Sequence, residues 1–169
     1  MPHPLDAPEA VSAAAEPLEE LLADVNHVPS IALFPVVPVV PVTGGLRAPE
    51  WLTGLAQAVY DAGAGGHQVR TPVRPYTSPE AWRDVLRQEV SEGFLQPATR
   101  YARTDGPPAD LVRRAGELAE EIADLVEEHL GPVRTAADVD GPHAGDIAWR
   151  NVLLVTDDWA TILHLGVGD

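Results

Sequence analysis

Apolar positions recur along this chain in two rhythms, one of helices and one of strands. Over residues 109–130, Leu111, Ala115, Leu118, Ile122, Leu125 and His129 or Leu130 follow one another at alternating spacings of three and four. That spacing keeps one face of an α-helix apolar. Glu117, Glu120, Glu121, Asp124, Glu127 and Glu128 crowd the other faces, which read as solvated rather than as a docking site, and Gly131-Pro132 stops the helix. Residues 9–25 repeat the rhythm with Val11, Leu18, Leu21, Leu22 and Val25, with Pro17 marking where the firm part begins. Residues 49–62 repeat it with Trp51, Leu52, Leu55, Val59 and Tyr60, and a loop follows over residues 63–66. A further helix opens on Ser78-Pro79-Glu80, where serine caps, proline suits the first turn and an acid meets the positive dipole end. It carries Trp82, Val85, Leu86 and Val90.

The second rhythm is that of strands. Residues 31–34 read as a short strand. Residues 35–42 continue extended as an edge strand or connector, because Pro35, Pro38 and Pro41 cannot donate to a ladder. Near the end, residues 151–155 and 160–165 are apolar runs separated by Thr156-Asp157-Asp158, the pattern of a β-hairpin. Residues 1–8 hold three prolines and read as a frayed end. The expectation is a single α+β domain, mainly helical, with a small C-terminal β-hairpin. Its 169 residues suit one domain.

Charge narrows the partners. Acids outnumber bases 26 to 11, for a formal net charge of −15. This disfavours nucleic-acid backbones and anionic membrane surfaces, and suits solubility, a cationic ligand or a basic protein. Every base is arginine. With no lysine, a Schiff-base or phosphate-loop lysine is excluded, and with no cysteine so are disulfides, a thiol nucleophile and cysteine-based zinc sites. The longest apolar run, residues 31–42, is too short to span a bilayer. The N-terminus lacks the early basic residues of a secretory signal. A cytoplasmic protein is expected.

The chemistry concentrates around the hairpin. Before it lies His143-Ala-Gly-Asp146, then Asn151 five positions after Asp146; after it come His164-Leu-Gly166 and Asp169. This arrangement resembles the aminoglycoside phosphotransferase and choline kinase-like family of the protein-kinase-like superfamily. The resemblance implies a kinase large-lobe-like fold over residues 46–169, with residues 9–45 a remnant of the small lobe and hinge. It also implies Asp146 as catalytic base assisted by His143, with Asn151 and His164 at the metal-ligand positions. Mg2+ and a nucleotide would be the cofactors. Two departures stand out. Ala144 displaces His143 by one residue, and the metal-binding aspartate position holds His164, a poor ligand for a hard ion. Asp169, five residues on, would need a shifted loop to replace it. A Gly-rich loop with a following strand is missing, as is the lysine for the phosphates.

Two other readings of these residues compete with that one. His143, Asp146 and His164 could cluster as a metal or acid–base site. In the plainest case Asp146 caps a turn, Asn151 begins a strand and His164 lies on a hairpin face. The function expected is a divergent, truncated phosphotransferase-like protein that binds a small hydroxylated or cationic molecule or a nucleotide, rather than a standard ATP-dependent kinase. The alternative is a non-enzymatic acidic protein, such as an immunity protein or an inhibitor of a basic partner. The strand edge around residues 35–42 would suit a homo-oligomer or a partner chain that completes the lobe.

Overall fold

A computed structural model describes residues 3–23, 28–40, 48–63, 65–94, 108–141 and 148–168. In chain order the elements are α1 (Glu9–Ala23), β1 (Val28–Leu33), β2 (Val37–Pro38), α2 (Pro49–Ala62), β3 (Arg74–Pro75) and α3 (Ala81–Gln88), which runs into a π-helical turn (Glu89–Phe94). After these come α4 (Ala109–Leu130), β4 (Thr135–Val139), β5 (Ala148–Val155) and β6 (Trp159–Gly168). The class is α+β, as the two rhythms require.

The expected small hairpin is the centre of something larger. β5 and β6 pair antiparallel from Ala148↔Val167 to Val155↔Ala160, but they belong to a six-stranded sheet of order β1-β6-β5-β4-β3, with β2 also on β6. β6 reaches this role because it continues past residue 165 to Gly168, long enough to take β5 on one edge and both β1 and β2 on the other. Residues 9–45, expected as a lobe remnant, thus supply two strands to the same sheet. β4 was not foreseen. Its Thr135-Ala-Ala-Asp-Val run carries small side chains with little apolar signal, yet both Ala136 and Ala137 are buried by neighbouring strands and helices.

Helices cover both faces, which explains why β5 and β6 read as unbroken apolar runs rather than alternating ones. Val152, Leu154, Leu163, Leu165 and Val167 face α1, α3 and α4. Leu153, Val155, Ala160 and Ile162 face α2. In α4 the buried stripe is Ala115, Leu118, Ala119, Ile122, Ala123 and Val126, so Leu125 falls on its flank and His129 is exposed. Each fully buried aliphatic side chain of this kind contributes about 1.5–3 kcal/mol. α1 runs through Pro17 from Glu9 onward. Serine 78 does not cap α3, which starts at Ala81 after a turn.

Polar contacts fix the edges. Glu19 Oε1 on α1 accepts the outward N–H of Ile31 at 2.8 Å, which satisfies a donor on the exposed side of β1. Arg83 on α3 reaches Glu120, Asp124 and Glu127 along α4. Among the described residues no helix is long and apolar enough to cross a membrane.

Candidate functional site

Asn151 and His164 are direct partners across the β5–β6 ladder, so both side chains point to the α2 face. Both are buried, Asn151 at 1% and His164 at 9% exposure. Asn151 Oδ1 lies 2.7 Å from His164 Nδ1. An amide oxygen only accepts, so the imidazole proton sits on Nδ1. Two of the positions named by the family resemblance therefore converge. Their arrangement satisfies one with the other. The asparagine oxygen is engaged by the histidine, and an imidazole is a poor partner for Mg2+, which asks for several oxygens. These two residues do not by themselves fit that ion. His143, Asp146 and Asp169 lie outside the described residues. Among the described residues no three histidine or acidic side chains come together as a metal centre.

Around this pair the α2 face builds a polar chamber that the sequence did not reveal. Tyr60, in the last turn of α2, is 2% exposed and donates its hydroxyl to the Asp140 carbonyl at 3.1 Å. Its ring meets Phe34 and His67 edge-on, with centroids 5.2 and 4.9 Å away. The segment that brings in His67 is fastened to α2 by Gln57, whose amide nitrogen donates to the His67 carbonyl and whose oxygen accepts from Val69 N–H. Asp140 Oδ2 accepts from Arg70 N–H. Burial, and then the nearby Asp140 carboxylate, push the Tyr60 phenol well above its usual range, so it stays protonated. Gly141 packs between Tyr60 and Asn151: a Cβ there would lie closer than 3.0 Å to both Tyr60 Oη and Asn151 Nδ2. Three buried side-chain atoms of this neighbourhood have no hydrogen-bond partner among the described residues: His67 Nε2, Asp140 Oδ1 and Asn151 Nδ2. Such atoms are uncommon in a native interior and costly to leave unmet.

On the other side of Asp140 the surface opens into a cleft of about 430 Å3, lined by Thr71, Pro72, Arg74, Glu89, Asp138, Val139, Asp140, Trp149 and Arg150. Alternation sets its floor. Asp138 and Arg150 lie on the opposite sheet face from Asn151, because each is one residue out of phase with the α2-facing positions. Arg150 grips both oxygens of Asp138 (2.9 and 3.1 Å) and bonds Glu89 of the π-helical turn at 2.8 Å. Tyr76 donates to Asp138 Oδ1 at 2.6 Å. Hydrogen bonding to Asp138 holds Arg150 firmly protonated, while burial and Asp138 together raise the Tyr76 phenol. This bidentate, fully partnered network locks β3, β4, β5 and the π-helical turn together. Trp149 also lines the cleft and is 44% exposed.

The cleft and chamber residues escaped the sequence reading for a simple reason. Tyr60 and Asp140 are 80 positions apart, and Glu89 and Arg150 are 61 apart. The one local signal was Asp138-Val-Asp140-Gly141, two acids at strand spacing before a glycine. When the chain is compared with protein-family models, with curated proteins and with solved structures, none matches.

Proposed function

We propose that this chain is a small-molecule-binding domain of divergent phosphotransferase-like character, that its ligand is a hydroxylated or cationic molecule seated in the cleft beside β4 and β5, and that it is not a standard ATP-dependent kinase. The observation that carries the reading is the lining of the cleft. Glu89, Asp138 and Asp140 face only Arg74 and Arg150 there, leaving a negative balance next to an exposed indole. A cation gains from the carboxylates and from the indole face together. The volume is within the range of ligand pockets. A nucleotide, with its phosphates, would meet the wrong sign of charge, and the chain has no lysine to receive it.

Differential scanning fluorimetry and calorimetry with a panel of amines, polyols and Mg2+-ATP test this. Stabilisation by an amine or polyol that Asp140→Asn weakens is the expected result. Stabilisation by Mg2+-ATP alone, or by nothing in the panel, would overturn it. A second reading has its own observation: α4 presents Glu117, Glu120, Glu121 and Asp124 along an open groove, which would suit a basic protein partner. Capture of such a partner that is lost at high salt, with no small-molecule stabilisation, would favour that reading.

A further inference from the structure

Two charges in the cleft are not accounted for by its own network. Arg74 stands opposite Asp138 in the β3–β4 register, but the Asp138 carboxylate is taken by Arg150 and Tyr76. Arg74 itself is exposed and makes no ion pair or side-chain hydrogen bond among the described residues. Asp140, on the same cleft, takes one backbone amide from Arg70 and pairs with no arginine side chain. The two do not pair with each other either. Both come from anchored backbone: β3 is held in the sheet, and Asp140 is fixed through the Tyr60 and Arg70 bonds. Trp149 lines the same space.

We infer that the cleft recognises a zwitterion, a compact molecule carrying an ammonium and a carboxylate on one short skeleton, as a free α-amino acid does. The inference rests on the proposed reading of the cleft as the ligand site and adds the anionic end to it. The ammonium lies toward Asp140 and Glu89, the carboxylate toward Arg74, whose planar fork matches a carboxylate in two bonds, and the side chain lies along the indole. Opposite charges set apart on anchored backbone discriminate, because a ligand lacking either end forgoes one of the two contacts. A simple amine would forgo Arg74, and a simple acid would forgo Asp140.

Calorimetry with three matched sets tests it: free amino acids, their amides, which keep only the ammonium, and their N-acetyl derivatives, which keep only the carboxylate. At least one free amino acid should bind about tenfold or more tightly than its amide and its N-acetyl form. Arg74→Gln should erase the preference over the amide, and Asp140→Asn the preference over the N-acetyl form. Asp140→Asn is isosteric and Arg74→Gln shortens an exposed side chain, and their melting curves report whether the fold is intact. If amides or plain amines bind as well as the acids and Arg74→Gln changes nothing, the zwitterion inference falls while the cationic-ligand reading stands. If no member of any set binds, and no amine or polyol does, both fall.

Discussion

Gly141 gives the sharpest test of the chamber. Its backbone is not in the left-handed region, unlike Gly66 and Gly131, so Gly141→Ala meets no left-handed backbone penalty, and its cost in the fold is contact. The new Cβ would press on Tyr60 Oη and Asn151 Nδ2. Both are ends of side chains, but neither can withdraw easily. Tyr60 is held by Phe34, His67 and its bond to Asp140, and Asn151 by His164. Overpacking of this kind costs about 1–3 kcal/mol, and the stiffer unfolded chain returns about 0.4–1 kcal/mol. The net loss should be about 1–2 kcal/mol, a fall in Tm of roughly 2–8 °C for a chain of this size. Tyr60→Phe alone should cost about 0.5–1.5 kcal/mol through the lost hydrogen bond to the Asp140 carbonyl. The double variant carries the test. Removing the phenol oxygen vacates half the space the alanine methyl needs, so the double should lose clearly less than the sum of the singles, with a coupling of about 1 kcal/mol. Urea melts of the four proteins measure it. Additive losses, or a Gly141→Ala protein as stable as the parent, would refute the packing described around Asn151.

Other outcomes follow from the same contacts. Arg150→Met should lower stability by about 1–3 kcal/mol in urea titrations, because it leaves Asp138 and Glu89 side by side without their shared cation; no loss would mean the network does not hold the π-helical turn. Tyr60 is held neutral in the fold, with its proton bound more tightly than at the ordinary value of 10.0. Its contribution is therefore complete below pH 10 and declines as pH rises beyond it, by up to about 1.4 kcal/mol per pH unit. The slope of stability between pH 10 and 11 should be shallower in Tyr60→Phe, and equal slopes would refute the burial of the phenol. Arg83→Leu leaves Asp124 and Glu127 without their shared cation on one helix face, while Glu120 keeps Arg87. The loss should be about 1–2 kcal/mol at low salt and shrink in 0.5 M salt, where like charges are screened; a loss that salt does not change would point to packing instead.

How far the sequence could be read depended on distance along the chain. The helices of residues 49–62 and 109–130 were legible because spacings of three and four are local. The β5–β6 hairpin was legible because its two apolar runs flank a short polar turn, and that alone brought Asn151 opposite His164. The sheet around it was not. β1 joins β6 at the far end of the chain, and β4 is built from alanines whose burial comes from what surrounds them. The Asp146 and Asn151 spacing points to residues that carry catalysis in kinases. Arg150, the immediate neighbour of Asn151, belongs to no motif, because its role depends on Glu89 and Asp138 meeting it from separate elements. Tyr60 was read correctly as inward, but only the structure gives it Asp140 and Gly141 as neighbours.

The place of β6 at the middle of the sheet has a consequence for how the protein is made. The Phe34 carbonyl accepts the hydroxyl proton of Thr161, 127 residues later, and among the described residues β1 has no strand partner but β6. On the ribosome, β1, β2 and the apolar faces of α1 and α2 therefore emerge long before the strand that covers them. Contacts this far apart close slowly, and in the interval the early strands are open to pairing with a neighbouring nascent chain. Pro35 and Pro38, which have no N–H to donate, and the Glu19 carboxylate, which takes the Ile31 amide, blunt that strand edge.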